Sequence, residues 1–449
     1  MSEQHLLELA SGVVKRALVC GATDAECTIA EGDEFTANVR MRELESLKEA
    51  GSRGAGLRIL VGRRTGASYT SDLSPEGIEK LVRSAMELAD ITTEDPHAGL
   101  PERDELGSIG DMRLYSEDVE GLDTALKVDL AKRAEEAALS FDPRIGNSEG
   151  ASFDTYAGRH IFANSRGFAD EYRSSVCSLG VAPVARAGES MERDFWDTTA
   201  RSFAALESPE SVGRTAARRA LRRLNPVKVD TQKVPVVFEP RVARSLLDHI
   251  FEAVHGMSIY RHESFLAGML GEKVASQNLT VVDDGAIPGL FGSSPFDDEG
   301  VPSRRTVVIE RGVLKSYLLN SYAARKLGMK TTGNASRGLT GNAGIGHGNF
   351  FAEKGVQTPE RIVAGIPNGF YVTELIGFGV NVVTGDYSRG AAGLWIRGGE
   401  LAYAVSEVTI AGNLKDMLAG LEALGSDLEF RGSVAAPTIK IGEMTVGGR

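Results

Sequence analysis

In LWIRGGELAYAV two strand-like runs are separated by only two residues, Gly398-Gly399, and in TVVIERGVLKSYL by Arg311-Gly312. Such a connection predicts a β-hairpin, because turns with positive φ at their central residues match the twist of the strands they join. Residues 370–449 read almost wholly as strand and turn. The 52 glycines in 449 residues point the same way. A C-terminal region of antiparallel hairpins is the expectation.

Upstream, helices alternate with strands. Residues 4–19 have apolar side chains at helical spacing and end at Gly21. The chain from Glu26 to Thr70 is strand-like, most clearly in GLRILVG (56–62). Ser74-Pro75-Glu76 starts a helix running to about Ala89, with serine as cap, proline in the first turn and an acid at the positive end. Residues 92–118, rich in Pro, Gly, Asp and Glu, read as a linker. A helix follows over 121–140, then strands to about 205, then a helix over 208–224 with the same Ser-Pro-Glu start. LNPVKVDTQKVP (224–235) reads as a second boundary, and a helix pair precedes the C-terminal hairpins. The predicted class is α+β: N-terminal α/β-type units over 1–105 and 106–226, then a largely antiparallel β domain over 227–449. There is no low-complexity segment or convincing internal repeat.

A chain of this length exceeds one core. Its net charge of −12 argues against collecting phosphates, so nucleic acid is not an expected partner. The three cysteines, Cys20, Cys27 and Cys177, have no CxxC spacing, and neither a disulfide framework nor a cysteine zinc site is expected. The start MSEQHLLELASGVVKR has no basic region of a signal peptide, and no apolar run approaches the roughly 18 residues a membrane helix needs. A reducing, cytoplasmic setting is expected, with no membrane contact.

Several motifs are weak in context. GNSEG (146–150) fits the GxSxG pattern, but the strand-like ASFDTYAGRHIF follows where a helix is required, so Ser148 reads as part of a polar turn. GNAGIGHGN (341–349) lacks GxGxxG spacing and reads as a tight or mobile loop able to border a cleft. Arg214, Arg218 and Arg222 recur every four residues beside Arg219 and Arg223, without interleaved aromatics; a solvated or acid-paired face is expected. VVDD (281–284) and FDDEG (296–300) offer carboxylates suited to a hard cation, but each set is adjacent in sequence and Gly300 and Pro302 mark a turn. Aspartates bonding nearby backbone amides are the expected role.

DHIFEAVHGMSIYRHE (248–263) is the strongest metal candidate, with His249, Glu252, His255, His262 and Glu263 close together. Pro240 suits the first turn of its helix and Gly256 the C-terminal end. Val242, Ala243, Leu246, Leu247, Ile250, Phe251 and Val254 form one apolar face, leaving His249, Glu252 and His255 opposite. The two histidines are six residues apart, roughly 120° around the axis, whereas a zinc-helix pair at i and i+4 is roughly 40° apart. After His262-Glu263 the partner positions hold Leu266 and Ala267. An exposed polar face is the expectation, and a metal on His249 and His255 needs a distorted helix.

The block TELIGFGVNVVTGDYSRGAAGLWIRGGELAYAVSEVTIAGNLKDML (373–418) resembles the signature of the TldD/PmbA family, and is closest to its PmbA (TldE) branch. PFDDEGVPSRRTVVIERGVLKSYLLNSYAARKLG (295–328), the helix at 240–256 with HESFLAGMLGEKV after it, and the closing MTVGG are also similar. Order and spacing agree across the whole chain. The resemblance implies a cytoplasmic heterodimeric metallopeptidase acting on unfolded peptides. In it a TldD-like subunit carries zinc on an HExxxH helix with a distant cysteine as third ligand, and its glutamate activates the zinc-bound water. The PmbA-type subunit completes the assembly without those residues.

Set against that motif, this chain reads Phe251-Glu252-Ala253-Val254-His255-Gly256. Phenylalanine stands at the first ligand position and glycine at the second, only Glu252 matches, and no cysteine follows Cys177. The resemblance therefore implies a subunit silent by itself, with no cofactor of its own and zinc in the partner. Segments 334–349 and 384–393 are expected to line the peptide cavity, through Asn342, Gly344 and His347 and through Asp386, Tyr387, Ser388 and Arg389. A homodimer is the alternative when the chain is isolated. Two rival readings stand: a self-sufficient peptidase using His249, Glu252 and His255, and a non-enzymatic adaptor modulating a DNA-associated partner.

Overall fold

A computed structural model describes residues 4–448 of the chain. Residues 1–3, part of the start read above as lacking a signal peptide's basic region, and Arg449 lie outside the described residues.

One seven-stranded antiparallel sheet organises the N-terminal half. Its strands are β1 (Asp24–Arg40), β2 (Glu43–Val61), β3 (Arg64–Thr70), β4 (Ile145–Asn164), β5 (Ala169–Ala187), β6 (Ser190–Arg193) and β7 (Trp196–Ala200). The first three form one meander and the last four another. Pairing of β1 with β4, from Glu26↔Asn164 to Val39↔Ala151, merges them into a single sheet. The two regions read as separate α+β units thus share their main sheet.

Helices α1 (Gln4–Val19) and α2 (Pro75–Ile91) cover one end, packing Leu6, Val13, Leu81 and Val82 on Ile29, Leu57 and Ile59. After the one-turn α3 (Glu117–Glu120), helices α4 (Thr124–Leu139) and α5 (Pro209–Leu221) cover the other end, packing Leu130 and Val212 on Phe153 and Leu179. Both Ser-Pro-Glu starts are caps: Ser74 accepts from the Gly77 amide and Ser208 from the Ser211 amide. Ser148 is not in a turn. It sits on β4 beside a bulge, 1% exposed, and its hydroxyl accepts from the Gly150 amide.

The C-terminal half runs β8 (Gln232–Phe238), α6 (Pro240–Val254), α7 (Gly256–Tyr260), β9 (Val281–Asp284), β10 (Arg305–Glu310), β11 (Val313–Leu314), α8 (Ser321–Leu327), β12 (Ala335–Ser336), β13 (Gly344–Ile345) and β14 (Phe350–Ala352). It continues through α9 (Pro359–Ala364), β15 (Asn368–Ile376), β16 (Asp386–Arg397), β17 (Glu400–Asn413), α10 (Leu414–Ala419), β18 (Leu421–Leu424), β19 (Val434–Ala435) and β20 (Ile439–Gly447). The sheet order β17-β16-β15-β8-β20-β18 closes on itself, because β17 also pairs with β20. Closure leaves β17, β16, β15, β8 and β20 each paired on both sides, with β18 attached to β20 alone. Arg311-Gly312 and Gly398-Gly399 have positive φ at both residues, as the hairpin reading requires. Helix α6 buries Leu247 and Ile250 in one core with Phe238, Phe350, Phe370 and Trp395.

Residues 92–118 are not a free linker. Arg325 donates to the carbonyls of His97 (3.0 Å), Gly99 (3.3 Å) and Leu100. The Gly107 amide bonds the Gly300 carbonyl at 3.0 Å, and the Ile109 amide the Pro295 carbonyl at 3.1 Å. The glycines and prolines prevent regular structure, but side chains and amides of the C-terminal half satisfy the backbone.

The same halves are tied by the loop between β12 and β13. Arg337 donates to Glu26 and Thr28 on β1, and Arg58 on β2 donates to Glu26 (2.9 Å) and to Asn342 (2.9 Å). Glu26 is fully buried; burial pushes its pKa up, but Arg337 and Arg58 together hold it below its usual value. The glycine-rich loop 341–349 is therefore a docked strap at its start. The arginine row of α5 divides: Arg214 and Arg218 are exposed, whereas Arg219 and Arg222 grip Glu239, the residue that starts α6.

Candidate functional site

Helix α6 places the predicted metal candidates. Its apolar face is buried as read, and Pro240 fills the first turn. It stops two residues short of expectation. Val254 is its last residue, His255 is extended (φ −63°, ψ 121°), and Gly256 opens α7. The break brings the His255 backbone alongside Leu318, with the Gly256 amide on the Leu318 carbonyl at 3.0 Å. A side chain at 256 has no space: an added Cβ would lie 2.5 Å from Leu319 Cδ2 and 3.0 Å from the Leu318 carbonyl oxygen.

The polar face is not uniformly exposed, which corrects the reading of His249. Glu252 is exposed, but the His249 side chain is only 15% accessible. It lies edge-on to Tyr387 of β16, ring centroids 6.1 Å apart at 76°. Burial, with the nearby Arg389 guanidinium, lowers its pKa to about 4, so the ring is neutral at physiological pH. Both ring nitrogens of His249, the Tyr387 hydroxyl and the Arg389 Nε are buried without a hydrogen-bond partner in the protein. Each such orphan costs on the order of 1–3 kcal/mol, so a group of them around His249 and Tyr387 calls for bonding from outside these side chains. Burial raises the pKa of Glu252, with Asp248 adding to it.

His255 belongs to a different cluster. Its ring meets Phe251 (5.9 Å), Phe251 meets His347 (4.8 Å) and Phe350 (6.0 Å), and His347 meets Phe350 (5.9 Å). His249 and His255 are thus held by separate groups. Zinc takes three or four N, S or O ligands, and among the described residues no group of three or more His, Cys, Asp or Glu is placed to hold a metal ion. The side chains of this helix do not fit zinc.

The residues expected to line one cavity are distributed. Tyr387 and Arg389 join His249, while His347 joins Phe251. Asn342 is taken by Arg58 on the N-terminal sheet. Gly344 lies in β13, exposed, its carbonyl accepting from Asn320. Asp386 is exposed, bonded to Thr384 and Asn413, and the Ser388 amide bonds the Gly379 carbonyl at 2.7 Å. The β15–β16 loop, whose Val380 bridges Tyr387, exposes Phe378 and Val383 next to the exposed Ile376 at the end of β15, with Phe378 98% accessible. Neither Phe378 nor the partnership of His249 with Tyr387 was found in the sequence, and only the glycine-rich context of 384–393 pointed to this loop.

The chain matches three family descriptions in succession: PmbA/TldA metallopeptidase domain 1 over residues 25–89, the central domain over 117–224 and the C-terminal domain over 231–448. It is 38% identical to the metalloprotease PmbA of Escherichia coli O157:H7, over 99% of this chain and 94% of that one. A solved structure of a proposed modulator of DNA gyrase from Bacteroides thetaiotaomicron superposes with a TM-score of 0.92 at 27% identity, covering 100% of both chains. TldE from Thermococcus kodakarensis shares the fold, with a TM-score of 0.90 at 22% identity over 98% of this chain and 100% of that one.

Proposed function

The chain belongs to the PmbA/TldD metallopeptidase family, and from that membership we propose that it is the PmbA/TldE-type subunit of a cytoplasmic heterodimeric metallopeptidase that degrades or processes unfolded peptides. A TldD-like partner supplies zinc and the residues that activate water on it. This chain binds that partner, closes the chamber and holds the peptide extended.

One observation carries the reading: what stands where a zinc helix needs histidines. Phe251 is locked among His255, His347 and Phe350, and Gly256 has no room for a side chain. The helix is built for packing at both positions. No catalytic step is assigned to Glu252 in this chain. The orphaned His249, Tyr387 and Arg389 atoms beside an exposed apolar loop support a surface completed by something outside the chain.

The test is zinc content and peptidase activity of the purified chain, alone and co-expressed with a TldD-like subunit. The expected result is no stoichiometric zinc and no activity alone, with both appearing in the complex. About one zinc per chain alone, lost on His249→Ala or His255→Ala, sinks the proposal in favour of a self-sufficient peptidase.

A further inference from the structure

The two acidic stretches assigned to turns meet in space. VVDD forms β9 and FDDEG the turn before β10, and both line a cleft of about 140 Å³ between the halves, with Tyr172 of β5 on its far wall. The turn reading holds for two of the aspartates. Asp284 accepts from the Ala286 amide at 2.9 Å. Asp297 is saturated by three amides, those of Glu299, Val301 and Ala335, each at 2.9 Å.

Asp283 does not follow that pattern. It is 3% exposed, and Asn334 Nδ2 donates to its Oδ2 at 2.7 Å. Asp283 is one of the residues lining the cleft, and its Oδ1 is buried without a hydrogen-bond partner. Burial raises its pKa to about 6, against the pull of Asn334, His347 and the Gly348 amide. At neutral pH the group is still mainly ionised, and an ionised, half-bonded carboxylate at this depth needs a cation.

The surroundings choose among cations. Besides Asp283, the charged or titratable groups at the cleft are Asp297, Asp298, His347, the exposed Arg304 and Tyr172, whose phenol burial keeps protonated; His160 lies 3.3 Å from Asp298. Burial and the neighbouring Glu299 carboxylate raise the Asp297 pKa well above its usual value, so Asp283 and Asp298 are the carboxylates set against the one permanent cation. Asp298 spends its Oδ2 on the Arg337 amide. Two carboxylate oxygens stay open, Asp283 Oδ1 and Asp298 Oδ1, and among the described residues no group of three or more ligands is placed to hold a metal ion. The wall also offers the hydroxyls of Ser294 and Ser303, 3.0 Å apart, beside the rings of Phe296 and Tyr172. A charged acceptor beside hydroxyl acceptors suits a group with three N–H donors and one positive charge. The cleft also holds far more than a single water.

We infer that the cleft between β9 and the Phe296–Gly300 turn binds a protonated primary amine, with Asp283 as its counter-ion. The amine is either the free amino terminus of a peptide or a lysine side chain. This goes beyond the proposed function and does not rest on it, since it needs neither zinc nor a partner subunit.

Titration calorimetry on the full chain at neutral pH tests it with three probes: n-butylammonium, the tripeptide amide Ala-Ala-Ala-NH₂, and the same peptide N-acetylated. Saturable one-to-one binding of at least one ammonium probe, and none of the acetylated peptide, is expected. Butylammonium alone identifies a lysine side chain, and the free tripeptide alone an amino terminus. Asp283→Asn should weaken binding at least tenfold, and Asp298→Asn, at a half-buried position that leaves the deep carboxylate intact, a few-fold. Failure of both ammonium probes on the unaltered protein, equal binding of the acetylated peptide, or undiminished binding by folded Asp283→Asn overturns the inference.

Discussion

His249 of α6 and Tyr387 of β16 meet edge to face, 6.1 Å between ring centroids, with the imidazole neutral and both its nitrogens unbonded. Burial, reinforced by Arg389, lowers the His249 pKa from 6.5 to about 4, so between those values the unfolded chain holds more protons than the fold. Stability from this group is complete above pH 6.5 and is lost as pH falls towards 4, by about 3 kcal/mol. Urea midpoints measured from pH 7 to pH 4 should fall more steeply for the unaltered protein than for His249→Gln. Parallel profiles would show that His249 is not buried as described.

Glu26 is the joint between the halves. Glu26→Gln leaves Arg58 and Arg337 without their shared counter-charge in a buried place, at a cost of about 3–5 kcal/mol. Glu79→Gln, which breaks an exposed pair with Arg16, should leave the thermal midpoint unmoved. Equal effects of the two variants would contradict the buried network.

Writing the zinc signature into α6 should fail. In Phe251→His/Gly256→His, the side chain at 256 meets Leu319 and the Leu318 carbonyl at once. The expected outcome is a loss of about 1–3 kcal/mol or more from overpacking, with no gain in zinc affinity. A stable variant binding one zinc per chain would refute the described path of the α6–α7 break.

Phe378 touches little of its own chain. Phe378→Ser should change the stability by no more than about 0.5 kcal/mol. If the loop is a partner surface, the same change weakens association with a TldD-like subunit about tenfold in a pull-down titration or by calorimetry. Unchanged association would remove this loop from the interface.

Local patterns carried the helices, caps and hairpins, because each depends on residues within a few positions of one another. Ser74 and Ser208 cap helices as their Ser-Pro-Glu contexts require, and Gly398-Gly399 turns where two positive φ angles were needed. The signature over 373–418 likewise carried the family. Spacing on a regular helix set His249 and His255 apart, but the helix ends before His255, so the place of that ring rests on tertiary contacts.

Tertiary contacts decided the rest. Position in the sequence could not show that the 92–118 segment would be held by Arg325, that β1 would pair with β4 into one sheet, or that α6 would break at His255 to meet Leu318. Nor could it separate Asp283 from Asp284, adjacent in one strand. Asp284 folds back on a nearby amide, whereas Asp283 keeps an unbonded oxygen and lines a cleft whose far wall comes from Tyr172, more than a hundred residues earlier. A side chain's type and spacing limit the bonds it can make, but which bonds are left unmade depends on what distant chain segments bury it.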